Sequence, residues 1–335
     1  MVTSTPLRVS LFGGGTDLPD YYRAHGGQVL SLTLDKYVHV AAKARWDGRF
    51  VLGYGRQGPV RSIDEIDHPI TREVLRLAGV SSGIEIVSMS DAPAEGSGLG
   101  GSSAFTVGLL NAVLTLQGDA VGPARLAELA CHVEIDLLGE PIGKQDQFAA
   151  AMGGCREYSF HADEDVTTDS VGISAAQLAE LGANVLVFYT GVTRRASDVL
   201  RDQRAQMSRN LDHLHSMKSH VAEGRDRLMK GDFEGLGSLL RQSWERKKRL
   251  SKQIHNASID HWYDSALAAG AYGGKLLGAG GGGFLFFLCP PQRQAAVRTA
   301  LRELAEMPVG FSAAGTEVIL RSAASSDPAT VRPGW

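Results

Sequence analysis

Pro93-Ala94-Glu95-Gly96-Ser97-Gly98-Leu99-Gly100-Gly101-Ser102-Ser103 joins two segments of different hydrophobic period. Before it, Ile84 to Met89 is an apolar run of strand length. After it, Phe105, Leu109, Ala112, Val113 and Leu116 recur at helical spacing between Ser102 and Leu116. The order is strand, glycine loop, helix. Glycine lets the backbone come close to a phosphate, and the first turn of a helix offers unpaired N–H groups with a partial positive charge. Phosphate binding is the expectation for this loop; tight turns and close packing are the alternative use of the same glycines.

Two further clusters, Gly13-Gly14-Gly15 and Gly278 to Gly283, make this a chain of forty glycines in 335 residues, about 12% against a usual ~7%. Three such loops suggest one shared ligand. Gly96-Ser97-Gly98-Leu99-Gly100-Gly101 satisfies G-x-G-x-x-G, so an NAD-dependent dehydrogenase is a rival reading. A dinucleotide fold would return through a parallel strand with an acidic residue about 20 positions on. Here the helix is followed by Gln117-Gly118-Asp119 and then another helix. Gly278-Ala279-Gly280-Gly281-Gly282-Gly283 also fits the pattern but reads as following a helix and opening a strand, the reverse order. Neither loop ends in the Lys-Ser/Thr of a P-loop.

The remaining composition excludes several classes. Thirty-four basic against thirty-seven acidic side chains give a net charge of −3, and apolar residues make up 43%, which suggests neither disorder nor a nucleic-acid-coating role. Cys131, Cys155 and Cys289 form no C-x-x-C pair, so a disulfide scaffold or structural zinc site is not expected and a reducing cytoplasm fits. Phe284 to Cys289 falls far short of the roughly 20 residues that span a bilayer, and no secretory h-region precedes Arg8. The ten histidines show no H-E-x-x-H spacing.

Along the chain, Val29 to Leu34 and Tyr37 to Ala44 read as an antiparallel pair turning at Asp35-Lys36, and Trp46 to Arg49 as a turn into a strand over Phe50 to Tyr54. A second helix opens at Pro123, repeats Leu126, Leu129, Ala130, Val133 and Leu137, and stops at Gly139. Short strands follow Gly153-Gly154. A polar stretch near Gly172 to Gly182 precedes the strand Val185 to Tyr189 and suggests a boundary between domains 1–182 and 183–335. Helical segments run between Ala196 and Gln253, another lies near His261 to Ala271, and a frayed tail begins near Ala323.

The loop from Pro93 to Ser103 resembles the P-x-x-x-G-L-G-S-S-A motif of the GHMP kinases. The resemblance extends to Pro6-Leu7-Arg8-Val9 through Gly13-Gly14-Gly15-Thr16-Asp17 and to Lys275-Leu276-Leu277-Gly278-Ala279-Gly280-Gly281-Gly282-Gly283. Within the superfamily, Gly13 to Pro19 and Leu138 to Gln147 look most like the bacterial D-glycero-D-manno-heptose 7-phosphate kinases. Gly14-Gly15 stands where galactokinases carry an acidic-histidine pair. One departure is Gly101, which replaces the first of the family's paired serines. The resemblance implies an α+β fold of two domains: an N-terminal α/β domain with a left-handed crossover and a ferredoxin-like C-terminal domain.

It also implies residue roles. Asp146 matches the catalytic aspartate that accepts the acceptor hydroxyl's proton; a surface turn carboxylate is the bland alternative. Arg8, read at the end of the first strand, matches the basic residue beside that aspartate and the transferred phosphoryl, and Lys144 is a possible second cation. Pro93, Gly96, Gly98, Leu99, Gly100, Gly101, Ser102 and Ser103 would cradle ATP. Ser102 and Glu134 would hold Mg²⁺, with Asp136 as a competing register for the glutamate and an exposed helix charge as the plain reading. Gly14, Gly15, Thr16, Asp17, Gly280 and Gly281 would bind the sugar, although Thr16 or Asp17 could instead cap a helix opening at Leu18-Pro19. Arg194-Arg195 is a candidate pocket for an acceptor's own phosphate, and Arg246-Lys247-Lys248-Arg249 reads as a solvated helix face.

The expected activity is ATP- and Mg²⁺-dependent phosphorylation of the anomeric hydroxyl of a heptose 7-phosphate. Its partners are a small-molecule sugar phosphate and ATP, with no nucleic acid or membrane. A kinase for another sugar such as fucose or galactose, the dehydrogenase, and a non-catalytic sugar or nucleotide sensor are the alternatives.

Overall fold

The chain begins as a strand, β1 (Val2–Phe12), whose residues are almost all buried, with the next strand along one edge and a much later one beside Val2–Ser4 on the other. In the computed structural model, which describes residues 1–321 except 56, 94–95 and 193–195, it is followed by α1 (Pro19–His25), β2 (Gly27–Ala44), β3 (Val51–Leu52), α2 (Pro69–Leu77), β4 (Ile84–Ser90) and α3 (Gly101–Gln117). Then come α4 (Pro123–Cys131), α5 (Gln145–Met152), β5 (Cys155–Phe160), β6 (Val166–Ser170), α6 (Ala175–Ala183), β7 (Val185–Tyr189), α7 (Ala196–Ala205), α8 (Leu211–Lys230) and α9 (Phe233–Lys248). The series closes with α10 (Ala257–Ala268), β8 (Gly273–Leu276), β9 (Phe284–Leu288), α11 (Pro291–Ala300), β10 (Ala305–Glu306) and β11 (Glu317–Leu320).

Two sheets organise these elements. The first runs β11-β1-β2-β4-β3, with β5 and β6 continuing from the N-terminal half of β2. Its pairs are antiparallel except β3–β4, which are parallel and joined through α2. The second sheet is antiparallel, in the order β10-β7-β9-β8. The chain passes from one sheet to the other between β6 and β7, and β11 returns to pair with β1. Helix α3 is buried on nearly every side, against β1 and β2 and beneath α2, α4 and α5. Its apolar residues at every phase fit that central position, since a helix covered all round needs no polar face.

Several local readings change. The two strands expected at 29–34 and 37–44 are one strand, β2. A two-residue hairpin of the favoured types needs positive φ at its centre, and neither Asp35 nor Lys36 has it. The ladder instead slips, with Pro6 opposite Tyr37 and Arg8 opposite Thr33, and the surplus residues form a bulge that Asp35 ties to Gly310 in both directions. The strand expected over Phe50 to Tyr54 shortens to β3, with Phe50 bridging Val60. The polar stretch at 172–182 holds α6, started by a Ser174–Gln177 capping box. The third glycine cluster follows a strand, β8, so it is a hairpin loop and not a helix exit. The helix near His261 begins earlier, at Ala257, where Asn256 caps it. The C-terminal tail from Ala323 lies outside the described residues.

The helix read from Pro123 to Gly139 is α4 followed by a π-helical turn, His132–Leu137. The wider turn changes the phase of the side chains. Leu137, on the apolar stripe of an uninterrupted α-helix, is 46% exposed, whereas Glu134 is buried at 2%.

No helix among the described residues is long and apolar enough to cross a membrane. Leu109, fully buried at the centre of α3, and Trp46, 97% exposed on a turn, set the extremes of burial. Leu109→Ala is expected to destabilise the protein by about 2–5 kcal/mol and Trp46→Ser by less than about 0.5 kcal/mol, read from urea denaturation midpoints.

Candidate active site

Arg8 lies inside β1, not at its end, and its side chain is 5% exposed. Its Nε donates to Asp146 Oδ1 at 2.7 Å and its Nη2 to Asp146 Oδ2 at 2.5 Å. Nη1 donates to the Gly98 carbonyl at 2.6 Å, and the Arg8 backbone N–H donates to Leu99 O at 3.0 Å. The planar fork therefore fixes the plane of the carboxylate and its distance from the glycine loop. Asp146 sits in the first turn of α5, where the helix dipole favours a negative charge.

The second and third glycine loops interlock. Gly98 has φ +79°, and a Cβ there would stand 2.4 Å from Leu277 O; a Cβ at Gly278 would stand 2.3 Å from Gly98 Cα. No side chain fits between these backbones. Gly100 precedes the first residue of α3 in the left-handed conformation, with Leu99 and Gly101 buried and Gly96 also at positive φ. Pro93 is exposed at the outer end of the loop. Gly280 and Gly281 pack on Ile254, whose carbonyl accepts the Gly281 N–H at 2.8 Å.

The π turn brings Glu134 to the start of α3. Its Oε1 accepts from Ser102 Oγ at 2.9 Å, and its Oε2 accepts from Ser103 Oγ at 2.8 Å and Gln147 Nε2 at 2.6 Å. Asp136 is exposed and pairs with His132, so the competing register is not the one facing Ser102. Burial pushes the Glu134 carboxyl above its ordinary range; bonds from Ser103, Gln147 and Ser102 oppose this, and the Asp146 charge adds to it. Ser102 Oγ and Glu134 Oε1 make a hard, all-oxygen donor pair beside the phosphate loop. That fits Mg²⁺, which takes few protein ligands and leaves its other positions to water and phosphate. Among the described residues no group of three or more His, Cys, Asp or Glu could hold a metal ion.

Asp17 is 2% exposed. It caps no helix: α1 has Leu18 at its N-cap position with no side-chain bond. Instead Asp17 Oδ1 accepts from the Gly15 N–H at 2.9 Å, and Oδ2 accepts from the Gln145 N–H at 3.4 Å, which ties the first loop to the residue beside Asp146. Burial raises its carboxyl above the usual range, and the Asp146 charge adds to this against the backbone bonds. Thr16 is fully buried and braces the loop by donating to Gly13 O at 2.8 Å. A Cβ at Gly14 would stand 3.4 Å from Ser10 Oγ; that hydroxyl and Gln145 Oε1 are buried atoms without a hydrogen-bond partner among the described residues.

The cations differ from expectation. Lys144 is drawn to the β5–β6 hairpin, where its Nζ meets Glu164 Oε2 at 2.7 Å, and the bonds from Lys144, Tyr22 and Arg23 outweigh desolvation and hold that carboxyl down at about 2. Lys247 is not solvated: it is 7% exposed and donates to the Gly278 carbonyl of the third loop. Its signal in the sequence is positional, because 240, 244 and 247 share one helix face and Leu240 and Trp244 are core residues. Burial pushes its ammonium down to about 8, Arg8 adds to this, and Asp17 and Asp146 oppose it. Lys275, also buried, donates to Ser10 O at 2.7 Å and Leu11 O at 3.0 Å. Arg194-Arg195 lies outside the described residues.

A glycine loop opening a buried helix, with a carboxylate and a guanidinium facing it, is an arrangement suited to phosphoryl transfer. The chain belongs to the GHMP kinases, matching the family's N-terminal domain over residues 68–154 and its C-terminal domain over residues 225–306. It is 31% identical over 318 residues to a D-glycero-alpha-D-manno-heptose 7-phosphate kinase of Campylobacter jejuni, covering 90% of this chain and 93% of that one. A Bacteroides fragilis L-fucokinase/L-fucose-1-P guanylyltransferase is 27% identical over 91% of this chain and 36% of its own length. The crystal structure of a D-glycero-D-manno-heptose 1-phosphate kinase from Bacteriodes thetaiotaomicron superposes with a TM-score of 0.79 at 28% identity, covering 96% of this chain and all of that one. The fold is thus the two-domain GHMP kinase fold, and the enzyme uses ATP as GHMP kinases do.

Gly98→Ala, which forces the second and third loops apart, is expected to weaken ADP binding at least about tenfold by calorimetry. Glu134→Gln tests the buried carboxylate. A raised native pKa means the folded state holds the proton more tightly than the unfolded chain, so the Glu134 contribution to stability falls as pH rises from 4.5 through the raised value. The Gln variant should melt at or above the wild-type temperature near neutrality, with the advantage shrinking toward pH 4.5, while phosphoryl transfer falls about 100-fold.

Proposed function

We propose that this kinase phosphorylates the anomeric hydroxyl of D-glycero-D-manno-heptose 7-phosphate, giving the 1,7-bisphosphate and ADP. The observation that carries the phosphoryl-transfer part of this reading is the two-point Arg8–Asp146 pair held against Gly98. Asp146 accepts the hydroxyl proton as the anomeric oxygen bonds to the γ-phosphorus and the bond to the β,γ-bridging oxygen breaks. Arg8 orients the carboxylate through its two-point contact. Asp17, beside Gly14, Gly15 and Thr16, accepts hydrogen bonds from sugar hydroxyls and sets the acceptor's orientation. Residues 96–103 cradle the nucleotide phosphates, with the α3 N-terminus adding its partial charge. Ser102 and Glu134 would hold Mg²⁺, which when bound neutralises charge on those phosphates.

The choice of acceptor is supported by the 31% identity to the heptose 7-phosphate kinase over nearly both full lengths, and by Gly14-Gly15 where galactokinases carry larger polar side chains. The fucokinase relative favours a second reading, in which the acceptor is a neutral sugar. A coupled ADP-release assay over free hexoses, L-fucose, heptoses and their terminal phosphates separates the two. Heptose 7-phosphate should give the highest kcat/KM; a preference for L-fucose or galactose overturns the heptose assignment. Asp146→Asn should lower kcat by about 100-fold or more with the KM for ATP within about threefold, and full turnover in that variant removes the base.

A further inference from the structure

Two cations, Arg8 and Lys247, lie beside the carboxylate Asp146, Lys247 also feels Asp17, and a third cation, Lys275, neighbours both of them. Their donors are committed differently. Arg8 gives Nε and Nη2 to Asp146 and Nη1 to Gly98, so its charge is matched by a carboxylate. Lys275 is anchored on β1 by two carbonyls. Among the described residues Lys247 makes one hydrogen bond, to Gly278 O, and no ion pair. An ammonium carries three donors, so two remain for a ligand. Burying such a charge without an anion is costly, and an anionic group arriving in the site offsets that cost.

The backbone partner of Lys247 locates that ligand. Gly278 is the residue packed on Gly98, and the Gly98 carbonyl is the one that receives Arg8. Lys247, Gly278, Gly98, Arg8 and Asp146 thus form a continuous arc from α9 of the second domain to α5 of the first. The arc spans the point where the phosphate loop faces Asp146.

We infer that Lys247 contacts the terminal phosphoryl group of the nucleotide, as a cation complementing Arg8 at the point of transfer. It moves no proton: the acceptor's proton goes to Asp146, ADP leaves with the electron pair of the bridging bond, and Lys247 offsets charge on the equatorial oxygens. The inference rests on the nucleotide lying in the 96–103 loop and is independent of which sugar is the acceptor. The charged groups facing Lys247 are Arg8 from β1, Asp17 from the loop before α1, Asp146 from α5 and Lys275 from β8. With its ammonium held at about 8, the free enzyme loses this cation as the pH rises past that value.

The test needs no acceptor. ADP and the non-hydrolysable β,γ-imido analogue of ATP, each with Mg²⁺, are titrated into wild type, Lys247→Met and Lys247→Arg by calorimetry at about pH 7 and about pH 9. Lys247→Met should bind ADP within about twofold of wild type and the imido analogue about tenfold more weakly, with Lys247→Arg restoring most of the difference. The wild-type preference for the imido analogue over ADP should shrink at the higher pH, and that of Lys247→Met should not. Equal losses for both nucleotides make Lys247 a brace for the third loop and overturn the inference. So do an unchanged imido affinity and a pH response that survives in Lys247→Met. If Lys247→Met does not fold, Lys247→Gln and the wild-type pH comparison decide the same question. Failure of heptose 7-phosphate as an acceptor in the separate turnover assay overturns only the substrate assignment.

Discussion

The Arg8 guanidinium donates to both oxygens of Asp146 and to the Gly98 carbonyl, and its own backbone N–H reaches Leu99, so one residue of β1 sets the spacing between a carboxylate on α5 and the loop that opens α3. The other features of the site are arranged around that spacing. Gly98 can offer its carbonyl because it lies at positive φ against Gly278, which brings in the second sheet. Asp17 reaches the same region by accepting from the N–H of Gln145, one residue before Asp146. Arg8 is itself buried and paired with Thr33 of β2, so the guanidinium is mounted on a strand inside the first sheet.

Several buried charges in the site oppose stability. Glu134 and Asp17 are carboxylates whose protonated forms burial favours, and Lys247 and Lys275 are ammonium groups whose neutral forms it favours. A fold selected for stability alone would fill these positions with apolar side chains. The ammonium groups suit a polyanionic ligand and the carboxylates suit a cation or hydroxyl groups, and the surrounding apolar core carries the cost.

The glycine loops and helix α3 were legible from local pattern, and Arg8, Asp17, Ser102 and Asp146 were named from the family's motifs, while Glu134 was named with Asp136 as a competing register that only the backbone decides. The bulge in β2 was not, since Asp35-Lys36 looks like a turn until Gly310, 275 residues away, is seen to bind it. The π turn was hidden because Leu137 continues the apolar period that the backbone then breaks. Lys247 was misread for a different reason. Its neighbours Arg246, Lys248 and Arg249 make the segment look uniformly solvated, while the helix phase set by Leu240 and Trp244 turns Lys247 inward.

The return of β11 to the edge of β1 bears on how the protein is made. During synthesis the first sheet can assemble β1, β2, β4, β5 and β6 long before residues 317–320 leave the ribosome, and through that interval Val2–Ser4 of β1 have no strand beside them on one edge. An open edge on a nascent chain is a template for pairing with other chains. Prompt delivery of β11 therefore shortens the time for which Val2–Ser4 stay open to such pairing.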